Sequence, residues 1–524
     1  MTTLLGVVLG VLLSLIVVKI AGRKTEFDGD YNRWRKLNLI LQEVEQNYVD
    51  TIDMKSMTDA AVVSALAKLD PHSVYLPPVE LEKSDTELAG NFDGIGITFN
   101  VPNDTAIVLS TIPGGPSEKA GLLAGDRLLR VFDKTIAGVK CPQDSMIRLF
   151  KGPSGSKVKI TVGRDGTEIP FEITRGKIPV NSIDAAFMLN DTTGYIKLTK
   201  FSRSTYTEFV ASTAKLLSHG MSRLVMDLRG NSGGYFDQAY LLCNEFLHKG
   251  DEVVYMEGLH RPRQDFKADG KGVLQDVQLS VLVDQGSASS SEIFAGAIQD
   301  NDRGVIVGRR SFGKGLVQEP INFTDGSGIR LTVSRFYTPS GRCIQKPYTP
   351  DYAYDVYERF MHGEMTNADS IKVDEHERYY TMGGRAVYGG GGIIPDVFVP
   401  ADTSRVSDFY MKCDKKTLQM RFAARMFDTY KSELSQIEDV ASLETFFRKV
   451  DLEYRFIDFA RTVGGITPDK KDWADTKSYL MPQLKGLVGR YSKLGEEAFY
   501  RMYLPMDQVL QKAIASSSVV QTPR

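Results

Sequence analysis

Apolar residues recur at helical spacing near the start of the chain, at Trp34, Leu37, Leu39, Ile40, Val44 and Tyr48, then from Ala60 to Leu69 before the breaker Asp70-Pro71. Residues 27–90 are therefore expected to be helical. From about Gly90 to Arg175 the texture changes to short apolar runs separated by Gly, Pro, Asn and Asp: Ile95 to Phe99, Ala106 to Leu109, Arg127 to Val131 and Val158 to Val162. That spacing predicts a compact, strand-rich module. Residues 179–400 alternate strands with helices: Arg223 to Leu228 and Val277 to Asp284 read as buried strands, Tyr235 to Leu247 and Ser291 to Gln299 as helices. Ala239, Leu242, Cys243 and Phe246 fall at i, i+3, i+4 and i+7, the stripe of a helix packed on a sheet. Beyond Ala401 the glycines thin out and helical spacing continues. The pattern predicts a multidomain α/β protein divided as 25–89 (helical), 90–176 (strand-rich), 177–400 (α/β core) and 401–524 (helical).

Ahead of these lies an uncharged, mostly apolar run of 17 residues, Thr2 to Val18, followed by Lys19, Arg23 and Lys24. A bilayer takes about 20 apolar residues and a signal peptide's apolar region about 7–15, so residues 1–24 read as a membrane anchor or signal segment. The basic residues after the run would, counted alone, keep the bulk of the chain cytoplasmic. The remaining composition is that of a soluble protein. Lys plus Arg is 64 against 66 for Asp plus Glu, which provides no global field for nucleic acid. The four cysteines are far apart and the six histidines include no H-E-x-x-H pair, so no catalytic metal and no organic cofactor is expected.

Three segments carry candidate chemistry. Asp284-Gln285-Gly286-Ser287-Ala288-Ser289-Ser290-Ser291-Glu292-Ile293 places small hydroxyl residues between a strand and a helix, where free backbone N–H groups and the helix dipole favour a developing anion. Taken alone it reads equally as a serine-rich helix cap. Ser311-Phe312-Gly313-Lys314-Gly315 holds a lysine between glycines, and a lysine acts as a base only when its surroundings lower its pKa from about 10.4. Gly308, Gly313 and Lys314 also match G-x-x-x-x-G-K, but Gly315 stands where a phosphate loop needs Ser or Thr, which excludes nucleotide binding. Asp227-Leu228-Arg229-Gly230-Asn231-Ser232-Gly233-Gly234 runs from a strand into a glycine-rich loop whose amides suit an oxyanion hole. The same loop resembles the nucleophile loop of trypsin-like peptidases, with Ser232 as nucleophile. That alternative needs an upstream His, and only His72 and His219 precede it.

The three segments in this order resemble the C-terminal processing (tail-specific) serine peptidases, whose pattern is close to D-L-R-x-N-x-G-G, G-S-A-S-A-S-E-I and F-G-K-G-x-V-Q. Ser290 replaces the usual Ala. In that family the lysine follows the nucleophile by 25 positions, and 314 − 289 = 25, which selects Ser289. The resemblance implies a crotonase-like α/β core, a Ser289/Lys314 dyad, Gln318 orienting the lysine, and the backbone N–H groups of Ser290 and Gly234 as oxyanion donors. The module at 90–176 resembles a PDZ domain, with Gly94-Ile95-Gly96-Ile97 as the loop that receives a peptide's terminal carboxylate and Gly115 to Leu129 as its helix and turn. The likeness extends over roughly residues 30–400, including Ser340-Gly341-Arg342 and Gly392 to Asp396. It implies an endopeptidase acting on exported proteins with unstructured C-termini, on the periplasmic side of the inner membrane. The competing class is a non-catalytic PDZ scaffold that binds protein C-termini.

Overall fold

The computed structural model describes residues 32–101, 104–402 and 407–516. The expected anchor at Thr2 to Val18 lies outside the described residues, and among the described residues no helix is long and apolar enough to cross a membrane. The chain forms two compact units that divide between Tyr75 and Leu76. The first contains α1 (Asn32–Asn47) and α2 (Met54–Leu66), the latter capped by Asp53, which accepts from the Lys55 and Ser56 amides. Helix α3 (Pro78–Ala89) belongs to the second unit, so the helical segment expected to run to residue 89 is split. Leu81 of α3 is buried within that second unit.

The second unit continues with the strand-rich module: β1 (Asn91–Gly94), β2 (Ile97–Asn100), β3 (Ala106–Thr111), α4 (Pro116–Ala120), β4 (Arg127–Val131), β5 (Lys134–Thr135), α5 (Gln143–Phe150), β6 (Lys157–Arg164), β7 (Thr167–Thr174) and β8 (Gly176–Pro179). The order β2-β3-β4-β6-β7 leaves β2 at an edge, while β1 pairs with β8. Along β6, buried Val158, Ile160 and Val162 alternate with Lys157, Lys159 and Thr161, the period-2 pattern of a strand with one face on a core.

The α/β core runs β9 (Ile183–Met188), β10 (Thr193–Leu198), α6 (Thr205–Ser218), β11 (Arg223–Asp227), α7 (Phe236–Phe246), β12 (Glu252–Gly258), β13 (Arg261–Lys267), β14 (Gln278–Val283), α8 (Ser290–Asp300) and β15 (Val305–Gly308). It continues with β16 (Leu316–Asn322), β17 (Gly328–Tyr337), α9 (Asp355–Met361), β18 (Arg378–Tyr380), β19 (Ala386–Tyr388) and β20 (Val397–Phe398). The central sheet has the order β9-β10-β11-β14-β15-β20, parallel throughout except for β9. A parallel sheet is covered on both faces, which is why Leu224-Val225-Met226 and Val281-Leu282-Val283 are apolar without alternation and buried. One face packs against α7 and α8 through Ala239, Leu242, Phe246, Phe294 and Ile298.

The other face is covered by the end of the chain. Helices α10 (Asp408–Lys415), α11 (Leu418–Leu434), α12 (Val440–Lys449), α13 (Leu452–Thr462), α14 (Lys470–Gly489) and α15 (Glu496–Tyr503) enclose mainly their own apolar core. Leu504 and α16 (Gln508–Ser516), with Val509, Leu510 and Ala513, instead pack on Ala185, Tyr195, Val225 and Leu282 of the central sheet. The helical tail expected as a separate domain therefore ends as a layer of the α/β core.

Ser340-Gly341-Arg342 and the segment before β20 clamp the C-terminal end of α8. The Arg342 guanidinium lies 2.7 Å from Asp300, both side chains fully buried, and it also bonds Gln299 and the Tyr388 carbonyl. Arg342→Met would leave Asp300 charged and unpaired, and should destabilise the fold by about 3–5 kcal/mol in denaturant unfolding. A loss below about 1 kcal/mol would mean that the pair is not structural.

Candidate active site

The turn between β14 and α8 carries four serines, of which three are held by their hydroxyls. Ser287 Oγ donates to the Leu228 carbonyl at 2.8 Å, Ser290 Oγ to Gly234 at 2.9 Å and Ser291 Oγ to Asn231 at 2.8 Å. All three are buried, whereas Ser289 is only half-buried. Ser289 has φ +55° and ψ −115°, a conformation that costs a residue with a Cβ roughly 1–3 kcal/mol and persists only where its surroundings impose it. A serine on such a strand-to-helix turn presents its Oγ ahead of the helix N-terminus.

The lysine loop, between β15 and β16, is joined to this turn by the Phe312 N–H, which donates to the Ser287 carbonyl at 3.0 Å, and by the side chain of Glu292. Glu292, on the first turn of α8 and fully buried, accepts four hydrogen bonds. Its Oε2 receives the Ser289 N–H (2.9 Å) and the Lys314 N–H (2.8 Å), and its Oε1 the Ser311 hydroxyl (2.5 Å) and the Gly313 N–H (2.6 Å). Burial pushes the Glu292 carboxyl upward, and the four donors offset part of that shift. Lys314 Nζ donates to Gln318 Oε1 at 2.9 Å, which joins the two residues that the sequence pairs. Gly313 is small for a steric reason: a Cβ there would lie 3.2 Å from the Gly392 nitrogen and from Lys346 Cβ. Glu292 was assigned no role from the sequence, although Ser289-Ser290-Ser291-Glu292 has the S-x-x-E spacing of a capping box.

The glycine-rich loop closes a third side. Asn231 is fully buried; its Nδ2 donates to the Leu198 carbonyl at 3.0 Å and its Oδ1 accepts from the Gly233 N–H at 2.9 Å. Its own carbonyl accepts from Ala288 N–H at 3.0 Å, so the loop is bonded to the turn that carries Ser289. A Cβ on Gly233 would lie 2.8 Å from Ser289 Cβ, which measures how closely the two backbones pass. The Gly233 amide is thus engaged, while the amides of Ser232, Gly234 and Ser290 donate to no protein group among the described residues. Ser232 is exposed in the loop, and His219 Nδ1 lies 2.7 Å from the Lys215 carbonyl of its own helix. Beneath the loop, Asp227 is buried against Arg229, Lys197 and Tyr195. Burial opposes its charge, but the two cations outweigh it and hold the carboxyl well below the usual range.

In the strand-rich module, Gly94 ends β1, Ile97 begins β2, and Ile95 and Gly96 form the connecting loop. The Ile95 carbonyl accepts from Ser117 N–H and the Gly96 carbonyl from Ile112 N–H, both at 3.0 Å. Among the described residues the Ile95 and Gly96 amides donate to no protein group, and they adjoin the open edge of β2. Across from β2 lies α5, with the Phe99 and Phe150 rings 5.3 Å apart.

Residues 192–354 match the sequence profile of Peptidase family S41, and residues 94–174 that of a PDZ domain. The carboxy-terminal processing protease CtpA of Bacillus subtilis is 30% identical over 344 residues, covering 64% of this chain and 73% of that protein. A carboxy-terminal-processing protease of Bartonella bacilliformis is 34% identical over 369 residues, covering 68% and 83%. Among solved structures, a photosystem II D1 C-terminal processing protease aligns over 72% of this chain and 90% of its own, at 26% identity and a TM-score of 0.38. The profile that matches over the Ser289 turn and the lysine loop, the PDZ match, and relatives covered along more than two thirds of their length lead to one assignment: the chain belongs to Peptidase family S41, among the carboxy-terminal processing serine proteases.

Proposed function

We propose that this protease works through a Ser289/Lys314 dyad on substrates captured by their C-termini in the PDZ domain. The observation that carries the reading is the Glu292 carboxylate, which accepts from the backbone of both Ser289 and Lys314 and so sets the two against each other. In this mechanism Ser289 Oγ attacks the scissile carbonyl carbon while neutral Lys314 Nζ takes its proton. Gln318 Oε1 accepts one N–H of that amine, which fixes the direction of its lone pair. The carbonyl oxygen becomes an anion facing the Ser290 and Gly234 amides, at the positive end of α8. Lys314 returns the proton to the leaving amine, and water activated by the same amine releases the acyl group. The parallel sheet with α8 leading from its strand end is consistent with the crotonase-like arrangement. Substrate enters as a strand beside β2, its carboxylate received by the amides of Gly94 to Ile97. The run Thr2 to Val18 would hold the catalytic bulk on the periplasmic face of the inner membrane.

The test compares cleavage of one unfolded protein carrying either a free or an amidated C-terminus. Amidation removes the charge that the loop amides would bind, and should lower kcat/KM about tenfold, on the scale of one charge-assisted contact. Equal cleavage of the two forms would overturn recognition by the C-terminus.

A further inference from the structure

The residue ahead of α16 reaches the glycine-rich loop through an ion pair. Asp507 precedes α16, and its Oδ1 caps that helix by accepting from the Val509 N–H (2.9 Å) and the Leu510 N–H (3.3 Å). Its other oxygen, Oδ2, lies 2.7 Å from Arg229 Nη2. Arg229 also grips Asp227, with Nε 3.0 Å from Oδ1 and Nη2 2.6 Å from Oδ2. Lys197 Nζ bonds both Asp227 (3.2 Å) and the Arg229 carbonyl (2.5 Å). The next residue, Gly230, donates its N–H to Asp284 Oδ1 at 2.9 Å, on the turn that leads to Ser289.

Counting the charges in contact explains why a second carboxylate is present. Lys197 and Arg229 face Asp227 within the sheet end, which leaves one positive charge in excess in a desolvated place. Asp507 supplies the balancing charge, and Leu504, Val509, Leu510 and Ala513 fix its position by packing on the sheet. Without it, Arg229 would retain Asp227 as its carboxylate partner, and the backbone at the base of the loop would lose one of its restraints.

We propose that Asp507 is a positioning residue for this protease, acting through Arg229 to hold the loop that presents the Gly234 amide, so that the C-terminal helix is part of the catalytic apparatus. This inference rests on the reading of the Gly234 and Ser290 amides as oxyanion donors.

Asp507→Asn keeps the helix cap through its Oδ1, because asparagine caps a helix as well as aspartate does, while the charge toward Arg229 is lost and an NH2 group faces that guanidinium instead. In the full chain, kcat should fall about tenfold with KM within about twofold, the signature of an interaction that matters in the transition state. Asp507→Glu should recover part of the loss. Leu510→Ala, which loosens the same helix, should lower the melting temperature with kcat retained. Wild-type kcat in a folded Asp507→Asn protein would overturn the proposal, as would an equal loss of kcat in Leu510→Ala. Failure of the underlying reading would look different: a serine-directed phosphonate would then label the wild-type protein at a serine other than Ser289.

Discussion

Ser289→Ala and Lys314→Ala should each lower kcat/KM on an unfolded protein by at least about ten-thousandfold, and the double variant should be no worse than either alone. The non-additivity follows from the chemistry: without the hydroxyl there is no proton for the lysine to take, and without the amine the hydroxyl remains a poor nucleophile. Both variants should fold, since the Ser289 and Lys314 side chains occupy a half-buried site and not the core. Single-turnover kinetics with thermal melting would check this. Lys314→Ala within tenfold of wild type would mean that another group serves as base, and Ser289→Ala at wild-type rate would move the nucleophile elsewhere.

Glu292→Gln should lower kcat about a hundredfold and destabilise the fold by about 2–5 kcal/mol, although the change is one atom. The carboxylate receives two donors on each oxygen: Ser311 and Gly313 on Oε1, Ser289 and Lys314 on Oε2. An amide has one acceptor oxygen, so in either orientation its NH2 group faces two donors. If it faces the Ser289 and Lys314 amides, the tie between nucleophile and base becomes a repulsion. In the other orientation the NH2 group faces the Gly313 N–H, a backbone donor that cannot turn away as the Ser311 hydroxyl could. Burial raises the Glu292 carboxyl, so in the wild type it takes up its proton at a pH above the ordinary glutamate range. Activity that depends on the four-bonded carboxylate should fall as pH drops through that point, and this acid limb should be missing in Glu292→Gln. A glutamine variant with wild-type kcat and stability would remove Glu292 from the site.

Much of the architecture could be read without coordinates because its signals are local. The buried strands β11 and β14 fall within a residue or so of the apolar runs Arg223 to Leu228 and Val277 to Asp284, since a strand buried on both faces must be continuously apolar. Helix α7 lies where its i, i+3, i+4, i+7 stripe put it. The α/β core and PDZ module also followed from turn chemistry and motif, and the family assignment bears out the motif reading. The helical texture of the tail was equally visible, but periodicity describes what one face of a helix needs, not which surface answers it. It could not distinguish α16, which seals the central sheet, from α11, which packs within the tail.

What the sequence by itself determined is thus the set of elements, the family, and the spacing of 25 that points to Ser289 and Lys314. Composition could not separate Ser289 from Ser287, Ser290 and Ser291; the tertiary structure distinguishes it through the backbone carbonyls that take up the other three hydroxyls. Folding likewise engages the Gly233 amide with Asn231, which supports the reading of Gly234 over Gly233. Glu292 and Asp507 were the residues that pattern reading passed over. The first bonds residues 19 to 22 positions away and the second an arginine 278 positions away (507 − 229 = 278). Such partners are set by desolvation: a charge withdrawn from water must find donors or a countercharge wherever the packed chain brings them, and that placement is a property of the three-dimensional fold.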